Sequence, residues 1–182
     1  SIVNEHYDMH VKQAVFFRDG GSLSYTVESD KGKYFLRIVR PQLMDTAVEA
    51  VKIQLFLMEK HLPVSQIISD IKGEPYVSRE QQGEKYLYIL YEYIEGTDPG
   101  PEDMEQAGEL VGRLHNCMEE YGGELKVRDK YFFIDRYIAI LRKKKYARAD
   151  EFEAYGNEAW DKVKHLPAGY CHGDLYRNNI FQ

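Results

Sequence analysis

Residues 170–181, Tyr-Cys-His-Gly-Asp-Leu-Tyr-Arg-Asn-Asn-Ile-Phe, carry the strongest chemical signal in the chain. Asp174 and Asn179 stand five residues apart in a short segment pinned by apolar anchors, Leu175 inside it and Ile180-Phe181 after it. That spacing lets one loop present a proton acceptor and a metal-binding amide to the same small volume. Phosphoryl transfer needs such a pair, because the reaction is mostly positioning and charge neutralisation. A carboxylate takes the hydroxyl proton and oxygen ligands hold Mg²⁺. The same letters also describe a polar turn, in which Asp174 caps local backbone amides and Asn178-Asn179 fill turn positions. The upstream elements decide between the two.

The segment resembles the catalytic loop of the aminoglycoside phosphotransferase and choline kinase superfamily, which are protein-kinase-like small-molecule kinases. The resemblance implies that Asp174 is the catalytic base, that Asn179 is a Mg²⁺ ligand and that His172 shapes the loop. It implies ATP and Mg²⁺ as cofactors and a small-molecule hydroxyl as acceptor. The fold it implies is α+β and bilobal, with an antiparallel-sheet lobe carrying one long helix and a mainly helical, truncated second lobe. The expected division is a nucleotide-binding lobe over residues 1–96, with a hinge at 92–96, and an incomplete helical lobe over 97–182.

Composition is compatible with this. Hydrophobic content of 43% with 30% charged residues is that of a soluble globular protein. No apolar run approaches membrane-spanning length, and the amino terminus lacks the basic and apolar regions of a signal peptide. Cys117 and Cys171 are the only cysteines and stand in unlike contexts, so free thiols in a reducing, cytoplasmic setting are expected. The net charge of −6 argues against a nucleic-acid partner. The basic run Arg142-Lys143-Lys144-Lys145 falls late on an expected helix, where it complements the helix dipole and solvates an exposed face.

Strands are expected from His10 to Phe17, from Ser24 to Glu28 and from Lys33 to Arg40, punctuated by Asp19-Gly20-Gly21-Ser22 and Ser29-Asp30-Lys31-Gly32. Gly20, Gly21 and Ser22 offer flexible backbone amides able to cover phosphates, although the same letters make a hairpin turn. Strand periodicity sets Tyr34, Leu36 and Ile38 on one face and Phe35, Arg37 and Val39 on the other. Arg37 therefore interrupts an apolar face, either snorkelling to solvent at a sheet edge or meeting an anion in a cleft. A helix follows over about 45–61, carried by Ala47, Val48, Val51, Leu55 and Met58. Thr46 and Glu49 have the spacing of a capping box. In the resemblance, Glu49 instead orients Arg37, which holds the α- and β-phosphates of ATP. Relatives often carry Lys at that position; Arg keeps the charge and adds a second donor.

The run Tyr86-Leu87-Tyr88-Ile89-Leu90-Tyr91 is apolar on both faces, as a central strand requires. Glu92-Tyr93-Ile94-Glu95-Gly96 resembles the family's hinge, in which backbone groups near Glu92 and Ile94 bind adenine; a plain strand end has the same letters. Thr97-Asp98-Pro99-Gly100-Pro101 breaks the chain and leads into a helix over 102–121 ended by Gly122-Gly123. His115 on that helix is read as structural. Two more helices are expected: Lys130 to about Tyr146, capped by Asp129, and Asp150 to about His165, with Phe152, Tyr155, Ala159, Trp160 and Val163 on its apolar face.

The order of these pieces points to an ATP- and Mg²⁺-dependent small-molecule phosphotransferase. The alternative is a catalytically inactive kinase-like nucleotide-binding or interaction protein. In the family, an Asp soon after the catalytic loop supplies a second metal ligand, and the sequence stops at Gln182, before that point. Negative charge and 15 tyrosines would suit a cationic acceptor such as an aminoglycoside or a choline-like amine.

Overall fold

A computed structural model describes residues 1–170, 172, 173, 179 and 180. The chain divides into two compact units, Ser1–Tyr121 with His172–Gln182, and Gly122–Cys171. By contact, the helix after the Pro/Gly break falls in the first of these.

The first unit is built on a five-stranded antiparallel sheet: β1 (Val11–Gly20), β2 (Ser22–Ser29), β3 (Gly32–Val39), β4 (Val77–Gln81) and β5 (Glu84–Glu92), in the spatial order β1-β2-β3-β5-β4. β5 is interior, and its residues Leu87, Tyr88, Ile89 and Leu90 are 0–4% exposed, as the two-sided apolar run requires. One face packs on the amino-terminal segment, including the short helix α1 (Ile2–His6): Val3, Tyr7 and Met9 join Val27, Leu36, Val77, Tyr88 and Leu90 in one buried cluster. Five residues are too few to show helical periodicity, so the sequence reading passes over α1. The other face packs on helix α2 (Met44–Glu59), where Ala47 and Val51 meet Val39, Ile67, Leu87 and Ile89.

α2 corrects one expectation. It begins at Met44, directly after a 3₁₀ turn over Pro41–Leu43, and Leu43 holds the N-cap position without a side-chain cap. Thr46 is thus inside the first turn and forms no capping box with Glu49. Proline favours the first position of a helical turn, and here it starts the helix earlier than the Thr46 signal suggests.

Helix α3 (Met104–Met118) follows a 3₁₀ turn at Pro101–Asp103, where the Gly100 N–H donates to the Asp103 carboxylate at 2.7 Å. Its far end reaches back to α2 within the unit, through Phe56 edge-on to Tyr121 at 5.2 Å and an ion pair between Lys60 and Glu120.

The second unit contains a π-helical turn (Tyr131–Asp135) running into α4 (Arg136–Lys143), and α5 (Ala149–Val163). Asp129 caps the first of these as expected, accepting the Phe132 N–H at 3.0 Å. Arg142 is not simply solvated: it bridges Asp150 and Glu153 of α5. The expected apolar face of α5 is largely open, with Phe152, Tyr155 and Val163 at 45%, 73% and 48% exposure. The close seam runs through Gly156 instead, where an added Cβ would stand 2.7 Å from the Ile134 methyl. A small residue, rather than the large ones, marks the contact.

Candidate active site

The β1–β2 turn is the first part of the site. β1 and β2 pair down to Gly20 and Ser22, leaving Gly21 alone at the tip with φ +80°. A side chain at that φ is strained, and a Cβ there would also touch the Leu43 Cδ1 at 3.4 Å. The glycine is therefore required by the turn, and its backbone is left bare at the tip.

Arg37 lies on β3, between β2 and β5, so it is not an edge-strand arginine. Its Cα is opposite Ser24 and Ile89, and its Nε donates to the Ser22 Oγ at 2.8 Å across the diagonal. Ser22 is buried at 5% exposure while Arg37 is exposed, so a buried hydroxyl anchors the Nε of a surface guanidinium. Tyr91, on β5 opposite Phe35, lies beside it. Burial pushes the Tyr91 phenol up, and the Arg37 charge and hydrogen bond pull against that.

On the same face Phe17 stands edge-on to Phe35 with ring centroids 5.5 Å apart. Phe16 pairs with Tyr25 on the other face, so strand alternation sets Phe17 on this one, just where β1 carries an irregularity between Phe16 and Arg18. Phe17 is 61% exposed. The structure thus gathers Gly20, Gly21, Ser22, Arg37, Phe17 and Phe35 on one sheet face. The sequence reading set Phe35 on the Arg37 face but gave Phe17 no part in it, because that needs the β1–β2 register.

Glu49 is an exposed residue in the second turn of α2, close in sequence to Ala47 and Val51, which pack on the sheet. At the end of β5 the Glu92 N–H donates to the Gln66 carbonyl at 2.9 Å and the Tyr93 N–H to the Lys33 carbonyl at 3.4 Å. The Ile94 N–H makes no backbone hydrogen bond among the described residues. In the loop after α5, Gly173 has φ +76°, which accounts for glycine between His172 and Asp174. His172 is exposed, and Ile180 lines a cavity of about 440 Å³ with Pro63, Pro99 and the α3 residues Ala107, Leu110 and Arg113. Asn179 is described and exposed; Asp174 lies outside the described residues. Among the described residues no cluster of three His, Cys, Asp or Glu side chains could hold a metal. Asn179 carries an amide oxygen, a hard donor of the kind Mg²⁺ takes.

The sequence pattern of the phosphotransferase enzyme family, APH, matches residues 14–182. The chain belongs to that family. An uncharacterized Staphylococcus aureus protein encoded in the ileS 3′ region is 30% identical over 108 residues, which is 57% of this chain and 72% of that one. Among solved structures, the amicoumacin kinase hAmiN, in complex with AMP-PNP, Ca²⁺ and Ami, superposes over 99% of this chain and 59% of its own, with a TM-score of 0.71 and 19% identity. The spectinomycin phosphotransferase APH(9)-Ia, in complex with ADP and spectinomycin, matches all of this chain and 63% of its own, with a TM-score of 0.64 and 14% identity. A fructosamine-3-kinase-like protein of Haemophilus somnus 129PT gives a TM-score of 0.60 at 14% identity, over 96% of this chain and 63% of its own. These likenesses establish the α+β, kinase-like fold that the sequence implied. The APH chain described here spans about three fifths of the length of these structures. No helix among its described residues is long and apolar enough to cross a membrane.

Proposed function

We propose that the protein is a kinase that transfers the γ-phosphoryl group of ATP to a hydroxyl of a small molecule, with residues 1–96 as its nucleotide-binding lobe and 97–182 leading to its catalytic loop. The observation that carries this is Arg37: an exposed arginine on an interior strand, held by buried Ser22 beside a glycine that bares its backbone.

An exposed arginine anchored on an interior strand stands open to an anion rather than neutralised inside the protein. The Arg37 guanidinium keeps its outer donors pre-aimed and can grip two phosphate oxygens. The backbone of the Gly20-Gly21 turn, bare at Gly21, adds weaker donors from above, and Glu49 orients the arginine. In extended chain, groups of residues i and i+2 point to the same side, so the Glu92 carbonyl and the Ile94 N–H meet the edge of a base together. The rings of Phe17 and Phe35 offer that base an apolar surface.

Bound nucleotide and Mg²⁺ supply the transferable phosphoryl group and the neutralising charge. Asn179 holds the metal with its amide oxygen. Asp174 takes the proton of the acceptor hydroxyl, and His172 with Gly173 shapes the loop that carries it. The acceptor is a small molecule such as an aminoglycoside, a choline-like amine or another metabolite, and the net negative charge favours a cationic one. The small-molecule kinases among the structural neighbours support this class.

The test is phosphate transfer from labelled ATP to a panel of cationic, neutral and anionic alcohols by the full-length protein. Transfer to a cationic alcohol that Asp174→Ala reduces by about 10²-fold or more, with nucleotide still bound, is the expected result. Nucleotide binding without transfer to any alcohol would instead identify a kinase-like nucleotide-binding protein. Activity confined to neutral or anionic alcohols would remove the cationic assignment.

A further inference from the structure

The glycine turn is held from both faces of the sheet, and the two holds are different. On the α2 face, Arg37 of β3 bonds Ser22 just after Gly21. On the opposite face, Arg40, the residue following β3, places one terminal nitrogen 2.8 Å from both carboxylate oxygens of Asp19, just before Gly20. The assignment of faces follows from register. Asp19 is opposite Leu23, Leu23 is opposite Ile38, and Ile38 packs with the α1-side cluster. Arg40 lies two residues beyond Ile38 in extended chain and so continues on that face. Its charge also reaches Tyr86, a side chain packed on the same cluster; the Tyr86 phenol is pushed up mainly by its hydrogen bond to Glu84, and Arg40 pulls it down. Arg40 therefore cannot meet a ligand that sits against Arg37. Its partner is the turn itself.

We propose that the Asp19–Arg40 pair is a back-face latch that fixes the glycine turn over Arg37, making both positioning residues. The turn needs one. Gly21 has no side chain to pack, a Cβ added there would meet only the Leu43 Cδ1 within 4 Å, and the irregularity between Phe16 and Arg18 loosens the β1 ladder just before it. Without a second tie, the β1 side of the tip would be held only through its ladder to β2. With it, residues on both sides of Gly21 are tied to the same stretch, Arg37 to Arg40, so the tip keeps its height above the guanidinium. The consequence for nucleotide rests on the function proposed above; the effect on the turn does not.

The experiment uses Arg40→Gln, Asp19→Asn and the charge-reversed pair Asp19→Arg with Arg40→Asp, all in the full chain. Amide hydrogen exchange across residues 17–25, affinity for Mg²⁺–AMP-PNP and the melting temperature are measured for each. Both side chains are partly exposed, so the expected single-variant effect is modest, about a three- to fivefold rise in exchange at Gly21 and Ser22. A similar loss of nucleotide affinity is expected, with an unchanged melting temperature, and the reversed pair recovers both. Unchanged exchange in the single variants, or no recovery in the reversed pair, overturns the latch. Exchange that responds and recovers in a protein that binds no nucleotide sustains the latch and overturns the proposed function instead.

Discussion

The two faces of the five-stranded sheet are built from the same strands and treated oppositely. The α1 face is closed: Val27, Leu36, Val77, Tyr88 and Leu90 are buried beneath Val3, Tyr7 and Met9. The α2 face is closed only over Val39, Leu87 and Ile89, where Ala47 and Val51 cover it. Toward β1 it carries exposed Phe17 and Arg37 above buried Ser22 instead. A sheet that leaves part of one face bare gives up roughly 25 cal/mol for each Å² of apolar surface it could have buried. Stability thus resides in the closed face, and the binding chemistry proposed above in the open part.

The largest expected effect belongs to the closed face. Leu90→Ala, at a fully buried position, should lower the unfolding free energy by about 3–5 kcal/mol, read from urea denaturation. Arg37→Met inverts the pattern. Losing one hydrogen bond to Ser22 costs about 0.5–1.5 kcal/mol of stability, while nucleotide affinity falls by the value of a charge-assisted contact, about 1.5–3 kcal/mol, measured by calorimetry. If the two variants shift stability equally, the contrast between the faces fails. Gly21→Ala should cost about 1–2 kcal/mol in melting experiments, because its φ of +80° is unfavourable for any residue with a Cβ.

The smallest effect lies on the closed face and depends on pH. Asp70 accepts the Glu74 and Lys72 N–H groups on one carboxylate oxygen, at 2.9 and 2.8 Å, with His6 4.0 Å from the other. The Glu74 hydrogen bond foremost, then the Lys72 one, holds its native pKa below the usual carboxylate value, against the opposing effect of burial. Its stabilisation is therefore complete above the unfolded pKa, near about 4, and is lost as pH falls through the lowered native value. Asp70→Asn keeps an acceptor oxygen for both N–H groups and removes the titration. Stability measured from about pH 5 down to pH 2 should accordingly fall less steeply in the variant. Equal slopes would remove Asp70 from the acid response.

The closed parts of the molecule were the easiest to read in the sequence. The β5 run is apolar at every position, and only an interior strand accepts that. Arg37 was visible because it broke an apolar alternation, although its interior position needed the strand order. Other features depend on what no local pattern records. The Phe17–Phe35 contact and the Asp19–Arg40 pair both reach across β2, between parts of the chain that no local pattern brings together. Thr46 misled because Pro41 had already begun the helical turn. α5 misled because its large side chains look outward and Gly156 makes the contact.

The deciding experiment is calorimetric titration of the chain with AMP-PNP, with and without Mg²⁺, in the wild type, Arg37→Met and Asn179→Ala forms. Wild-type binding should be strengthened by Mg²⁺, weakened with or without the metal in Arg37→Met, and no longer strengthened by Mg²⁺ in Asn179→Ala. A folded wild-type chain that binds no nucleotide, or an Arg37→Met form that binds as well as the wild type, would contradict it.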